Sequence, residues 1–383
     1  MIDYFLFAAA FNGLFIAVLL FRKMPPAYHD KVLAIWLICM SIYIGIYIFG
    51  APYFFSQYPL ITNSFIYLLT LQGPFLYLYV TSLVSGRKRI NFGCIVHLIP
   101  LLLCNICLVI TYLINKDPDV ISLDHVARNS VPSAFILLSI LFVTLSGAVY
   151  FIMTLRLLNK HNIHIFNNFS SSETIDLYWL QRLIAVFGVS WIVMVVIIVI
   201  HHIFHFFTMR FCTDGLFLLL SLFILFLGYY GIKQKEIYPE DASGKMDDSI
   251  PDSETSRPKY AGSTMQDGDI ERYSIILKDY MISHKPFLNP NLTLKQLSDA
   301  TGISTQNLSQ VINEIYENNF FNFINQYRVE DFKVRIADPK YANFSILGVA
   351  FESGFNSKTS FNRIFKNLTS QTPSDYRKSI IPD

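Results

Sequence analysis

The residues whose types could do chemistry lie mostly in the amino-terminal half of the chain. His201 and His205 are four positions apart, a spacing that places two imidazoles on one helix face and can hold a metal ion. Together with His202 they lie at the end of a long apolar run, where histidine is easily hydrated, so we interpret them as interfacial residues. Cys104 and Cys107 form a C-x-x-C inside an apolar run without a basic neighbour, which favours packing over redox or metal chemistry. We therefore expect no metal, no cofactor and no catalytic site.

Other polar residues also occur inside apolar runs, where such groups tend to face the interior of a helix bundle. They are Asn12, Gln72, His97 and Asn105. A membrane transporter or enzyme with a regulatory tail would use the three histidines of the sixth apolar run. The histidines lack an acidic partner, however, and no charged residue lies in the middle of a run, so this function is the least favoured alternative.

Composition separates the chain into two parts. It is 53% hydrophobic and 15% charged, whereas charged residues make up about a quarter of a typical soluble domain. The apolar excess ends near Ile232. About 20 apolar residues are needed to cross the hydrocarbon core as a helix, and seven runs approach or reach that length: 4–21, 32–50, 60–84, 94–114, 131–155, 183–207 and 215–232. We predict an all-α chain with a seven-transmembrane bundle over residues 1–232 in the lipid bilayer.

The distribution of basic residues between alternate connections predicts the orientation of the bundle. One set of connections holds eleven: Arg22, Lys23, Lys31, Arg87, Lys88, Arg89, Arg156, Lys160, Arg182, Lys233 and Lys235. The other set holds three: Lys116, Arg128 and Arg210. We expect a multi-pass protein of the cell (inner) membrane with its amino terminus outside and its carboxyl-terminal part in the cytoplasm.

Residues 233–267 have the composition of a flexible linker, rich in Asp, Glu, Ser, Pro and Lys and poor in large apolar side chains. A coil of this length has a root-mean-square reach of about 33 Å. Whatever the carboxyl-terminal domain binds would therefore lie close to the membrane surface.

Residues 268–383 contain one pattern twice: a short helix, a glycine turn and a second helix. The first copy is Leu294-x-x-Leu297-x4-Gly302-Ile303-x4-Leu308-x-x-Val311-Ile312, and the second is Ile346-x-x-Val349-x4-Gly354-Phe355-x5-Phe361-x-x-Ile364-Phe365. Thr293 and Gln296 predict a capping box for the first helix, and Ser304 or Thr305 a cap for the second. One such unit alone would be a weak signal, but two in tandem predict a soluble helical domain with two helix-turn-helix units.

A long helix is predicted to join the two units. It runs from about Phe320 to Ala337 and stops at Asp338 because a residue preceding proline disfavours helix. Eighteen residues span roughly 27 Å. A rod of this kind could hold the second helix of each unit about 34 Å apart, facing successive major grooves on one side of DNA.

Several stretches of this domain resemble the AraC/XylS family of transcriptional regulators. They are Leu292-Thr-Leu-x-x-Leu297, Asn322-Phe-Ile-Asn-x-Tyr-Arg328-Val, Ala350-Phe-Glu-Ser-Gly-Phe-Asn-Ser357-Lys, Ser360-Phe-Asn-Arg-Ile-Phe-Lys366 and Thr372-Pro-Ser-Asp-Tyr-Arg377. The likeness covers about residues 270–380. It implies transcription control by sequence-specific binding to double-stranded DNA, and no enzyme activity.

The resemblance also implies which residues meet DNA, since the second helix of each unit would enter the major groove. The outward residues predicted to contact DNA are Thr305, Gln306, Ser309 and Gln310 in the first unit and Lys358, Thr359, Asn362 and Arg363 in the second. Gln and Asn suit adenine edges and Arg suits guanine, whereas Lys366, Arg377 and Lys378 suit phosphates.

Charge differs between the two units. Residues 269–339 carry seven Lys and Arg against nine Asp and Glu, a net of −2, whereas residues 340–378 carry six against two, a net of +4. Phosphate neutralisation supplies most non-specific affinity, so a single copy is expected to bind weakly, and we predict a homodimer or occupation of adjacent sites.

Two hypotheses remain for the role of the bundle. In the first, the protein is a one-component sensor in which an unidentified signal ligand acts on the bundle. In the second, the helices only anchor a constitutive regulator. The sequence identifies neither the signal nor the target promoter.

Overall fold

The computed structural model describes most of the chain: residues 2–24, 27–50, 58–84, 96–115, 134–171, 177–204, 206, 209–234 and 267–380. It divides into two compact units. The first comprises residues 1–159 and 177–243, and the second comprises 160–176 and 244–383. The second unit therefore includes a short segment from between two of the predicted spans.

The helices of the first unit are apolar and mostly long. They are α1 (Ile2–Arg22), α2 (Tyr28–Gly50), α3 (Pro59–Ile66), α4 (Gln72–Val84), α5 (Ile99–Asn115), α6 (Ala134–Asn168), α7 (Tyr178–Phe204) and α8 (Met209–Lys233), with a 3₁₀ turn at Tyr67–Leu71 between α3 and α4. Among the described residues, seven segments are long and apolar enough to cross a membrane. Each overlaps one of the seven predicted runs, with the largest differences in the fifth (Leu141–Asn168 against 131–155) and the sixth (Tyr178–Ile197 against 183–207).

Close packing in the first unit depends on small residues and on internally satisfied polar groups. A Cβ on Gly13 would lie 2.3 Å from the Ser41 hydroxyl oxygen, so a larger residue there would displace the Ser41 side chain at the contact of α1 with α2. The buried Trp36 donates its indole N–H to the Gln72 side-chain oxygen at 2.8 Å. Gln72 thus faces the bundle interior, as its position in an apolar run predicted.

The outward surface of these helices is apolar. Phe11, Leu145 and Val189 are each more than half exposed, as are other large apolar side chains of the same helices. A contiguous apolar exterior of this kind is unfavourable in water and favourable against lipid chains.

The helix containing the fifth predicted span is longer than the apolar run. It continues to Asn168, whereas the run ends at residue 155. Hydropathy predicts which part of a helix can lie in the hydrocarbon core. It does not predict where the helix ends, because polar residues such as Lys160 and Asn162 are compatible with continued backbone hydrogen bonding.

The second unit is also helical. It contains α9 (Asp267–His284), α10 (Leu294–Thr301), α11 (Thr305–Ile315), α12 (Phe320–Ala337), α13 (Ile346–Glu352), α14 (Lys358–Thr369) and α15 (Pro373–Ile380), with 3₁₀ turns at Pro286–Leu288 and Pro339–Tyr341. These bounds confirm the predicted order of two short helix pairs joined by one 18-residue helix.

Each helix pair has its own hydrophobic core, and α12 contributes to both. Phe323 and Ile324 of α12 lie in the core with α9, α10 and α11. Phe332 and Ile336 lie in the core with α13 and α14. Because one continuous helix forms a wall of both cores, each pair is fixed to the same rod.

The predicted caps are present. Thr293 and Gln296 form a complete capping box at α10, and the Ser304 hydroxyl accepts the backbone N–H of Asn307 at the start of α11. The two turns require glycine because Gly302 has φ 70° and Gly354 has φ 89°.

Some predictions fall outside the described residues. These are residues 235–266 of the linker predicted at 233–267, the connections at 85–95 (with Arg87, Lys88, Arg89 and Cys94) and 116–133, residue His205, and the side chains of His201, His202 and Arg210. Among the described residues, no group of three or more His, Cys, Asp and Glu side chains could hold a metal ion.

Candidate nucleic-acid interface

The helices α11 and α14 each have one buried and one exposed face. In α11 the buried face consists of Leu308, Val311 and Ile312, and in α14 it includes Phe361 and Phe365, all at most 1% exposed. With 3.6 residues per turn, most residues between these positions lie on the opposite face of each helix. That face carries the exposed polar side chains.

On α11 the predicted contact residues are only partly outward. Thr305 and Gln306 are exposed, and Ser309 is half-buried, with its hydroxyl accepting the Asn313 amide at 3.3 Å. The predicted outward orientation of Gln310 is wrong: this residue is 6% exposed. Helical periodicity alone would place Gln310 about 150° from the centre of the apolar face, so its burial comes from a neighbouring part of the fold that covers this side of α11.

The buried Gln310 amide nitrogen donates to a carboxylate oxygen of Glu314, one turn along α11, at 3.0 Å. Its amide oxygen has no hydrogen-bond partner among the described residues. This pair stabilises the helix itself and leaves Thr305 and Gln306 as the fully exposed polar residues of its first turn.

On α14 all the predicted contact residues are exposed. Lys358, Thr359, Asn362 and Arg363 lie on the outward face, and Lys366 extends the same face by one turn. Within the part of the chain that the structure describes, no ion pair involves Lys358, Arg363 or Lys366. Their positive charges are therefore free to act on an anionic partner.

The predicted phosphate contact Arg377 has an additional role in the fold. Its guanidinium donates to the backbone carbonyls of Phe344 at 3.2 Å and Ala342 at 3.1 Å. These bonds hold the turn before α13 against α15. Its contact with phosphate stays a prediction.

Two adjacent acidic residues of α12 are paired with basic side chains. Asp331 accepts a hydrogen bond from Arg335 and lies 3.7 Å from the Lys285 ammonium. Glu330 pairs with Lys333 at 2.6 Å. Burial lowers the pKa of Arg335, but its interactions with Asp331 and with the Tyr341 hydroxyl raise the pKa by more than burial lowers it. The pKa of Arg335 therefore lies above its ordinary value.

The turn of the second helix pair fits closely against a neighbouring part of the domain. A Cβ on Gly354 would lie 2.3 Å from the Phe287 carbonyl oxygen and 3.1 Å from the Arg328 Nε atom. The Arg328 guanidinium itself donates to the Phe287 carbonyl at 2.8 Å. The turn of the second pair therefore contacts the 3₁₀ turn that precedes the first pair, as well as α12.

Comparison with known proteins identifies this region. Residues 297–379 match a family model described as a helix-turn-helix domain. The match begins in α10 and ends in α15, so it includes both α11 and α14. The exposed faces of both helices therefore lie within the matched helix-turn-helix domain.

Relatives of the helix-turn-helix domain occur among transcriptional regulators. Uncharacterised HTH-type transcriptional regulators of Staphylococcus aureus strains COL, MSSA476 and N315 are each 36% identical to this chain over 99 residues. The matched residues are 26% of this chain and 12% of each relative. The chain thus spans a small part of those proteins, and no solved structure gives a significant match.

Sequence reasoning missed the buried role of Arg328. Its side chain is 2% exposed and lies among the backbone carbonyls at the centre of the domain. The signal was its register: Phe321, Arg328 and Phe332 are seven and then four positions apart, which places all three on the buried face of α12.

Proposed function

We propose that this protein is a transcription regulator that binds double-stranded DNA sequence-specifically, with α11 and α14 each entering a major groove. The observation that carries the proposal is a matched helix-turn-helix domain in which both second helices expose polar faces and share the α12 rod. A rod of this length is compatible with two major grooves one helical turn apart. The description of the relatives as transcriptional regulators supports the same function.

Within this function, the exposed residues divide by chemistry. Gln306 and Asn362 suit adenine edges, and Arg363 can donate two parallel hydrogen bonds to guanine. Thr305 and Thr359 lie beside these residues in the first turns of α11 and α14. The unpaired charge of Lys366, one turn further along α14, suits a phosphate, which adds affinity without reading sequence.

We also propose that the regulator is embedded in the cell membrane. Seven apolar segments of spanning length, apolar side chains on their exterior, and eleven basic residues against three in alternate connections support this. In that orientation the amino terminus is outside and the helix-turn-helix domain is in the cytoplasm, where it can reach DNA.

The bundle is proposed to act as a sensor. Its polar interior offers groups that a signal could perturb: the Tyr47 hydroxyl donates to Asp214 at 2.7 Å, near the end of α8 that the orientation places outside. If the bundle were only an anchor, replacing it with an unrelated seven-helix domain would leave the regulation of target genes unchanged.

Binding is proposed to require more than one copy on adjacent sites, because only the second helix-turn-helix unit is basic. The net charge is −2 over residues 269–339 and +4 over 340–378. Full affinity of a single copy would contradict this proposal.

The experiment selects duplexes from a random-sequence pool with the full-length protein in lipid nanodiscs, and measures binding of single-base variants of the selected site. Arg363→Ala is expected to weaken the binding free energy for the selected site by about 1–3 kcal/mol and to reduce the sequence preference at one base pair. Lys278→Ala removes the same charge from an exposed position on α9 and is the matched control. A pool without an enriched site, or equal effects of the two variants, would contradict the proposal.

A further inference from the structure

A short segment outside the helix-turn-helix domain belongs to the same compact unit. Residues 166–171, here called the docking segment, lie at the end of α6 and immediately after it, between the fifth and sixth predicted spans. The Phe166 ring meets the Phe321 ring of α12 edge to face, with centroids 5.2 Å apart. An apolar side chain of a connection between spans is thus placed on the domain.

Ser170 is the centre of the contact and is 1% exposed. Its backbone N–H donates to the Leu292 carbonyl at 3.1 Å. Its own carbonyl accepts from Arg328 at 2.9 Å and from the Asn325 amide at 3.2 Å, and its hydroxyl accepts from Arg328 at 2.9 Å. All three polar groups of this serine are therefore used by the domain.

The buried guanidinium of Arg328 depends on this serine. It makes five hydrogen bonds, of which two reach Ser170 and three reach the Phe287 carbonyl, the Asn289 carbonyl and the Asn325 side-chain oxygen. Burial lowers its pKa to about 9, so it remains charged at neutral pH. No ion pair in the described part of the chain involves Arg328, and loss of the docking segment would leave two of its donors to water.

The docking segment contacts both helix-turn-helix units. Leu292 precedes α10 in the first unit, whereas Asn356, which donates to the Ser171 hydroxyl at 2.9 Å, lies in the turn of the second. Phe166 also lines a cavity of 360 Å³ together with Arg363 of α14. One segment therefore holds the first unit, the α12 rod and the second unit together.

The exposed faces of α11 and α14 stay accessible with the docking segment in place. It is therefore not a steric block on DNA. A contact that fixes α11 and α14 relative to each other before they bind DNA reduces the conformational entropy that is lost on binding. We propose that the docking segment is a reversible clamp, which in its docked state favours DNA binding and through which movement of α6 and α7 weakens that binding.

The size of the contact suits a reversible device. The two bonds from the charged Arg328 contribute more than neutral hydrogen bonds, but undocking returns their donors and acceptors to water, which offsets much of that free energy. Phe166 is only partly buried. A modest change in the membrane-spanning helices can therefore shift the docked population. The clamp rests on the proposed DNA-binding function for its effect, but docking itself can be measured without DNA.

The first experiment measures docking by hydrogen exchange of the peptide containing Ser170 in the full-length protein in nanodiscs. Phe166→Ala is expected to accelerate exchange about tenfold, because it removes a partly buried ring. Ile163→Ala is the matched control, since Ile163 lies on the same helix and is 60% exposed. Exchange of Ser170 at the rate of an unstructured chain in the unmodified protein, or equal rates in the two variants, would overturn docking.

The second experiment measures the coupling to DNA. Phe166→Ala is expected to weaken binding of the selected duplex about tenfold, and by reciprocity saturating DNA is expected to slow exchange at Ser170 by a similar factor in the unmodified protein. Unchanged or tighter DNA binding by Phe166→Ala would overturn the clamp. Hydrogen exchange within α12 and α14 verifies that the variant domain is folded.

The two proposals fail in distinguishable ways. If no duplex is selected but Ser170 is protected, the DNA-binding function fails and docking stands. If DNA binding depends on Arg363 but not on Phe166, the function stands and the clamp is overturned.

Discussion

Replacing Gly354 and Gly302 separately with alanine provides a stringent test of the domain structure. Both glycines have positive φ, 89° and 70° respectively, so alanine at either position would be strained by the left-handed backbone conformation. This strain costs roughly 1–2 kcal/mol. The surroundings differ, because the added methyl group at Gly302 would meet no atom within 4 Å.

At Gly354 the methyl group would lie 2.3 Å from the Phe287 carbonyl oxygen and 2.9 Å from the Leu288 Cα atom. Both are backbone atoms, so relief requires the first helix-turn-helix unit to move. Overpacking of this kind costs about 1–3 kcal/mol more. Displacing the Phe287 carbonyl also disturbs its 2.8 Å hydrogen bond from Arg328. We expect Gly354→Ala to destabilise the domain by about 2–5 kcal/mol in total.

Hydrogen exchange of the full-length protein in nanodiscs measures this difference, because the free energy of local opening can be read from the amides of α12 and α14. The reasoning predicts faster exchange in Gly354→Ala than in Gly302→Ala throughout the second helix-turn-helix unit. Equal exchange in the two variants, or a larger effect of Gly302→Ala, would refute the close approach of the two units.

Three further predictions concern single side chains. Thr293→Ala removes the hydroxyl that caps α10 and is expected to lower stability by about 1 kcal/mol, measured by hydrogen exchange of the first α10 amides. Unchanged exchange there would show that the capping box does not stabilise the helix. Phe361→Ala removes a buried ring and is expected to lower the stability of the domain by about 3–5 kcal/mol, measured by hydrogen exchange of the α14 amides. A smaller destabilisation than that of Thr293→Ala would contradict the placement of Phe361 in the core. Lys366→Ala is expected to weaken binding to all duplexes alike and to reduce the slope of log affinity against log salt by about 0.9, whereas a change confined to one sequence would assign Lys366 to base reading.

The helix-turn-helix domain follows closely from local sequence signals. The bounds of α12 are those predicted, since an N-cap asparagine precedes Phe320 and Asp338-Pro339 ends the helix. The capping box of Thr293 and the two glycine turns also agree, because each is decided by residues within a few positions. The apolar periodicity likewise separates buried from exposed positions on α14.

Other features could not be predicted because they depend on residues distant in sequence. The orientation of Gln310 depends on the angle at which α11 meets its neighbours, which polar character alone does not reveal. The docking segment is separated from Arg328 by more than 150 positions. A connection between two predicted spans that contains Ile165, Phe166 and Phe169 was the available signal, since apolar residues in a connection indicate a packing partner.

The central claim is that two helices on one rod read successive major grooves. Hydroxyl-radical footprinting of the selected duplex by the full-length protein in nanodiscs tests it most directly. The account predicts protected stretches in pairs whose centres are about 10–10.5 base pairs apart on one face of the duplex, with loss of one member of each pair in Arg363→Ala. A single isolated protected stretch, or protection that spreads without sequence preference, would contradict it.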